Sequence, residues 1–367
     1  MATKNKVPEI PHSIPDNQQI VLVLQGGGAL GAYQYGVYHA MNEAKINPHW
    51  VIGTSIGAIN GGLIAGNPPE KRMAALNAFW DLMESHGKRN LGAFRGVYTW
   101  LTIAQGVRGF FAPNPNLWRS LNGRSDIDQA SYYITDPLRD TLSDLIDLDY
   151  LNSKKIRLTV GAVNANTGAM RYFDNRKEIL TLDHILASGA LPPAFPAVRI
   201  DGEPYWDGGI FSNTPIEAVL EDSPRISSII FSVQLWNPKS DEPASIHEVT
   251  AKKKDIQFAS RDHFLDKEKK LHRLRHIIRM LSEQLPDETK NKAEIKELVA
   301  WGCGTTMHVI KLTSPRLAGE DETKDIDFTV EGILSRQRAG YDETMRVLIK
   351  QPWTTNIDPI EGILIHE

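Results

Sequence analysis

The stretch Val21-Leu-Val-Leu-Gln-Gly-Gly-Gly-Ala-Leu-Gly-Ala-Tyr-Gln-Tyr-Gly36 passes from an apolar run into a glycine-rich turn and then into a helical pattern. Residues 20–24 are continuously apolar, the pattern of a strand buried on both faces. A second such segment follows at 50–53 after a helix-length interval, so the two make a βαβ unit with a short loop at the end of each strand. Gly26, Gly28 and Gly31 fit G-x-G-x-x-G, which makes the pyrophosphate of a nicotinamide or flavin cofactor the first candidate ligand. A different anion, one formed only briefly during a reaction, would suit the same turn.

The second strand runs into Gly53-Thr-Ser-Ile-Gly57, a G-x-S-x-G between a strand and the helical IGAINGGLIAG. In a nucleophile elbow the serine sits on a strained strand-to-helix turn, and flanking glycines avoid a clash with neighbouring backbone. A tight structural turn is the competing reading of that pentapeptide. The two turns discriminate better together. A dinucleotide site wants an acidic residue at the end of the second strand, roughly 20 residues past the glycines. Here that strand ends in Gly53-Thr54-Ser55, and Glu43, the only acid between, lies in the crossover helix. Reading the first turn as an oxyanion hole instead supplies what Ser55 lacks, backbone N–H groups at a helix N-terminus. Adjacent parallel strands bring both turns to one edge.

Outward from these turns, 367 residues with 41% hydrophobic content suffice for one large α/β domain plus an addition, or for two domains. A net charge of -4 gives no global attraction to nucleic acid, which is not expected as a partner. The single cysteine, Cys303, cannot form an internal disulfide and has no zinc-ligand spacing around it, so a metal is not expected. No apolar h-region opens the chain and no run approaches the roughly 18 residues of a membrane span. A cytoplasmic protein is therefore expected.

Alternating elements predict a three-layer α/β/α fold with a mainly parallel sheet and a largely helical C-terminal extension. Residues 1–17, with three prolines, read as a flexible arm, 18–240 as the catalytic domain, and 241–367 as a C-terminal region. An irregular segment at about 90–125 carries Phe94, Tyr98, Trp100, Phe110, Phe111 and Trp118 among glycines, and reads as a lid or insertion or as a satellite core. Further strands are expected at 156–163, 170–173, 226–235 and 307–312, a helix at 182–187, a hairpin at 198–206 and a last helix at 331–350. Between 252 and 285, Phe264, Leu271, Leu274, Ile278, Leu281 and Leu285 recur at helical spacing under a basic face. That helix would pack on the parent domain or a second subunit, leaving a homo-oligomer open, or rest on anionic membrane as a peripheral contact.

A serine needs a base. No histidine sits in a recognisable turn at a strand end: His184 falls in a helix, His263, His272 and His276 on the basic helix, and His366 in the tail, although a late residue such as His308 would suit a triad order. Asp207 is better placed, in Tyr205-Trp-Asp-Gly-Gly-Ile210 after a short strand, where apolar neighbours would raise its basicity.

With these residues assembled, the chain resembles the patatin-like phospholipases. The matching blocks are Gly26-Gly27-Gly28-Ala29-Leu30-Gly31, Gly53-Thr54-Ser55-Ile56-Gly57, 187–196 with its three prolines, and Asp207-Gly208-Gly209, in the family's order over residues 19–235. The resemblance implies a Ser-Asp dyad of Ser55 as nucleophile and Asp207 as base, with Gly26, Gly27, Gly28, Ala29 and Gly31 as the oxyanion turn and Gly53 and Gly57 flanking the nucleophile. It implies metal- and cofactor-independent hydrolysis of lipid acyl esters, of phospholipase A or lysophospholipase type. Leu30 departs from the Arg or Lys that many members carry there. An acyl thioesterase or polyester hydrolase with the same dyad, a nicotinamide-dependent oxidoreductase and a silent binding module are the alternatives.

Overall fold

The computed structural model describes residues 14, 18–84, 102–259, 262–317, 320–358 and 360–367. Most of the expected arm and Phe94, Tyr98 and Trp100 of the aromatic segment lie outside them. The sheet strands are β1 (Gln19–Leu24), β2 (Trp50–Thr54), β3 (Arg157–Asn164), β4 (Met170–Asp174), β5 (Val198–Ile200), β6 (Glu203–Asp207), β7 (Ser228–Gln234), β8 (Met307–Thr313) and β9 (Ile363–His366). They form one sheet in the order β9-β8-β7-β1-β2-β3-β6-β5, with β4 paired to β3 outside that path. From β9 to β3 every neighbouring pair is parallel, and β4, β5 and β6 are antiparallel additions.

The apolar run of β1 is buried on both faces because each face carries its own core. Ile20, Leu22 and Leu24 join the larger cluster, while Val21 and Val23 join the smaller one with Trp50, Ile230, Val309 and Leu265. Helices α1 (Ala32–Glu43), α2 (Ile56–Ala65) and α3 (Pro69–Met83) supply the larger cluster. The remaining longer helices are α4 (Asp136–Leu145), α5 (Leu182–Ser188), α6 (Ile246–Phe258), α7 (Asp262–Glu283), α8 (Ala293–Ala300) and α9 (Val330–Lys350). Helix α9 crosses α1 where Gly36 and Gly340 let the two backbones touch.

One register detail positions the site. Strand β2 pairs with β3 up to Thr54 opposite Gly161, and β6 pairs with the same strand from Asp207 opposite Ala162. Strand β4 already occupies 159–163 on the other edge of β3. Strands β2 and β6 therefore run head to head along one edge, and their C-terminal residues meet.

Two differences from the sequence reading concern the C-terminal part. The expected helix over 252–285 is two helices, α6 and α7. Leu274 and Leu281 of the expected inward stripe face solvent, and α7 buries Leu265, Glu268, His272 and His276 instead. Polar groups can take that inward position because they are paired: His272 Nε2 lies 2.7 Å from the Thr305 carbonyl and Glu268 pairs with Arg275. The tail around His366 is strand β9, which adds a parallel edge beside β8.

Candidate active site

Ser55 follows β2 directly and starts α2 with φ 57° and ψ -127°, a conformation that non-glycine residues rarely adopt. The strain is held by the packing of α2 against the sheet. A Cβ on Gly57 would lie 2.2 Å from the Leu24 carbonyl oxygen, so only glycine lets the helix start this close to β1. The Ser55 N–H donates to the Ser188 carbonyl at 3.0 Å and lies 3.1 Å from the Ser188 hydroxyl, itself hydrogen-bonded to the Gly161 carbonyl. Helix α5 thus ties the elbow to β3, a role for Ser188 that the sequence did not suggest.

Asp207 ends β6 and is fully enclosed. Its carboxylate accepts a 2.7 Å hydrogen bond from the Gly209 N–H, and the Ser55 hydroxyl lies beside it at the cavity. Burial pushes its pKa up to about 7, against the smaller downward pull of those two donors. Burial thus makes this carboxylate a stronger base than an exposed one.

The glycine turn closes the third side. The Gly26 N–H is committed to the Asn213 carbonyl at 3.2 Å, so it is not available to a ligand. Gly27 and Gly28 line the cavity beside Ser55, and among the described residues no acceptor meets their N–H groups. Ala29 and Gly31 lie behind the wall at the start of α1, where Gly31 packs against Ile56. Gly28 has φ +55°, and a Cβ there would meet the Asp325 carbonyl oxygen at 2.3 Å.

Several residues that hold this turn were not evident in the sequence. The Gln25 side chain accepts from the Leu235 and Trp236 N–H groups and donates to Thr214 and the Phe258 carbonyl. Trp236 Nε1 and Asn213 Nδ2 both donate to the Gly26 carbonyl. Their partners lie about 190 to 230 positions away, beyond the reach of any local pattern.

Ser55, Asp207 and Gly26 to Gly28 open on one cavity of about 970 Å³ including its mouth. Its wall is apolar, built largely by Ile59, Phe110, Phe111, Phe195, Phe258 and Phe328. Phe110 and Phe111 are at once wall and core, packed on Phe79 and Phe195. No histidine lines it among the described residues. His308 stacks on His366 between β8 and β9, with burial lowering its pKa to about 4, and His184 caps its own helix through Thr181. Among the described residues no three His, Cys, Asp or Glu side chains gather as for a metal, and no helix is long and apolar enough to cross a membrane.

A serine on a strained strand-to-helix turn, beside a buried aspartate and a glycine turn at one edge of a mainly parallel sheet, marks the candidate site of this α/β/α fold. The patatin-like phospholipase family model matches residues 22–220, and the chain belongs to that family. A second model, described as patatin phospholipase, matches residues 256–360. Curated relatives include the lysophospholipase NTE1 of Candida glabrata, 26% identical over 238 residues that make 63% of this chain and 11% of that protein. The lysophospholipase NTE1 of Saccharomyces cerevisiae is 27% identical over 236 residues, 63% of this chain and 12% of that protein. The chain thus spans little more than a tenth of these relatives' length. Among solved structures, VipD from Legionella pneumophila aligns with a TM-score of 0.42 at 17% identity, over 96% of this chain and 72% of that one. The type III effector ExoU aligns at 0.38 and 14% identity, over 92% and 54%.

Proposed function

We propose that the protein is a serine hydrolase of lipid acyl esters, of phospholipase A or lysophospholipase type, working through a Ser55–Asp207 dyad without histidine. The observation that carries this reading is the Ser55 hydroxyl beside a buried carboxylate in an apolar cavity also lined by Gly27 and Gly28, whose N–H groups meet no acceptor among the described residues. Each element has a role in acyl transfer. The Ser55 Oγ attacks the ester carbonyl carbon while Asp207 takes its proton, and the Gly27 and Gly28 N–H groups stabilise the oxyanion. Collapse expels the alkoxide, which leaves with the proton from Asp207. Water then attacks the acyl-serine, again giving a proton to Asp207; the second collapse releases the fatty acid and returns the proton to Ser55.

The raised pKa suits that exchange. An ordinary carboxylate is a weak base toward a serine hydroxyl, and one titrating near 7 both accepts and returns the proton more readily at neutral pH. The apolar wall supports an acyl chain as the bound group rather than a sugar or a nucleotide. The test is fatty acid release from phospholipids, lysophospholipids and acyl-CoA. Activity present in the wild type and lost in Ser55→Ala supports the reading; hydrolysis that survives Ser55→Ala ends it.

A further inference from the structure

The segment after residue 240 reaches the catalytic cavity by two routes. Helix α6 delivers Phe258, whose carbonyl accepts from Gln25 Nε2 at 3.0 Å and from Asn213 Nδ2 at 2.9 Å. Those two side chains also anchor the glycine turn. A 3-10 turn at Lys324–Ile326, followed by Asp327 and Phe328, then lies directly on the turn: the Asp325 carbonyl occupies the space that a Gly28 side chain would need. Ile326, Phe328 and Phe258 face the same cavity as Ser55, and Phe328 packs edge-on against Phe110 at 5.8 Å.

Two crossed ion pairs bind these pieces to each other. Lys254 reaches both oxygens of Asp325 at 2.8 and 3.1 Å and also the Glu322 carbonyl at 2.8 Å. Lys324 meets Asp255 at 2.5 Å, with both side chains buried, and its ammonium lies 5.3 Å over the Trp236 ring. Adjacent residues on α6 thus grip adjacent residues of the turn with opposite charge order, a pattern that admits only one register. On its far side Asp327 holds the buried Arg336 of α9. The turn is therefore fixed from α6 and from α9, the helix that packs on α1.

We propose that this C-terminal clamp is a working part of the acyl-transfer site. Ile326, Phe328 and Phe258 select the acyl chain, and the Lys254–Asp325 and Lys324–Asp255 pairs are positioning residues that keep the Gly28 N–H turned toward the oxyanion. The inference rests on the acyl-ester reading of the cavity. It assigns the region matched by the second family model to the site itself, so acyl selectivity is written partly in residues about 270 positions from Ser55.

The experiment measures kcat and KM on p-nitrophenyl esters from butanoate to hexadecanoate. The ratio of kcat/KM between long and short esters is independent of how much of a variant is folded. Phe328→Ala, which widens the wall, is expected to raise that ratio by about tenfold, and Ile326→Trp, which narrows it, to lower it similarly. Lys254→Glu is expected to lower kcat about tenfold with KM nearly unchanged, and Lys254→Glu with Asp325→Lys to restore most of it. Unmoved chain-length ratios in both wall variants overturn the selection claim. A Lys254→Glu enzyme with wild-type kcat, or one whose KM alone rises, overturns the positioning claim. Neither result touches the wild-type hydrolysis on which the proposed function stands, and a wild type inactive on every ester would sink that reading by itself.

Discussion

The elbow at Ser55 and the turn at Lys324–Ile326 touch the same cavity, and they are held by opposite means. The elbow is a local device, a serine at positive φ pinned by glycine contacts between adjacent layers of a buried sheet. The C-terminal turn is a long-range device, fixed by charges from a helix about 70 positions earlier and a guanidinium in the helix that follows. The first resists change because its backbone has no other way to pack. The second holds only while its charges are paired. Damage to the elbow should abolish chemistry, whereas damage to the clamp should retune it.

The largest expected effect is at the elbow. Ser55→Ala should lose about 10⁴-fold or more in kcat/KM, read as fatty acid release, because the proposed acyl bond is made to its Oγ. Asp207→Asn should lose about 10² to 10⁴-fold. This variant also carries an opposite prediction for stability. The folded pKa of about 7 lies above the ordinary 3.8, so the native state holds its proton more tightly and wild-type stability falls as pH rises from about 4 through 7. Asp207→Asn removes that loss. It should be more stable than wild type at pH 8 by up to roughly 4 kcal/mol, with the gap closing near pH 4, as urea midpoints at the two pH values would reveal.

Between the two regions stands Gly28, which belongs to the proposed oxyanion turn and touches the clamp. Gly28→Ala should cost about 100-fold in kcat, since relief of the contact with the Asp325 carbonyl has to turn the peptide away from the cavity. The same substitution would be mild if the C-terminal turn moved aside freely, so its size measures how rigid the clamp is. At the small end, His308→Gln should leave kcat within about twofold, because His308 is spent on His366 at the far edge of the sheet.

Legibility in the sequence followed the same division. Buried parallel strands, the elbow and Asp207 were readable because each is encoded within a few residues: an apolar run, a glycine on either side of a serine, an acid before two glycines. Even there the register was not, and it is the head-to-head meeting of β2 and β6 on β3 that joins Ser55 to Asp207. The glycine turn is legible as a motif, but its hydrogen bonding is not. Gly26 fits the motif as well as Gly28 does, and only the fold commits its N–H to Asn213. The C-terminal part is the least legible, since one expected helix is two, α6 and α7, and the inward face of α7 is polar. Apolar periodicity marks a face that excludes water, and a face satisfied by paired charges and a histidine leaves no such trace.

The central claim is tested most directly by covalent labelling with a fluorophosphonate, followed by mass spectrometry of the modified peptide across pH. The expected result is a single adduct on Ser55, forming at a rate that rises tenfold per pH unit below about 7, levels off above it, and is lost in Asp207→Asn. An adduct on any other residue, or labelling of Ser55 at the wild-type rate in Asp207→Asn, would contradict the account.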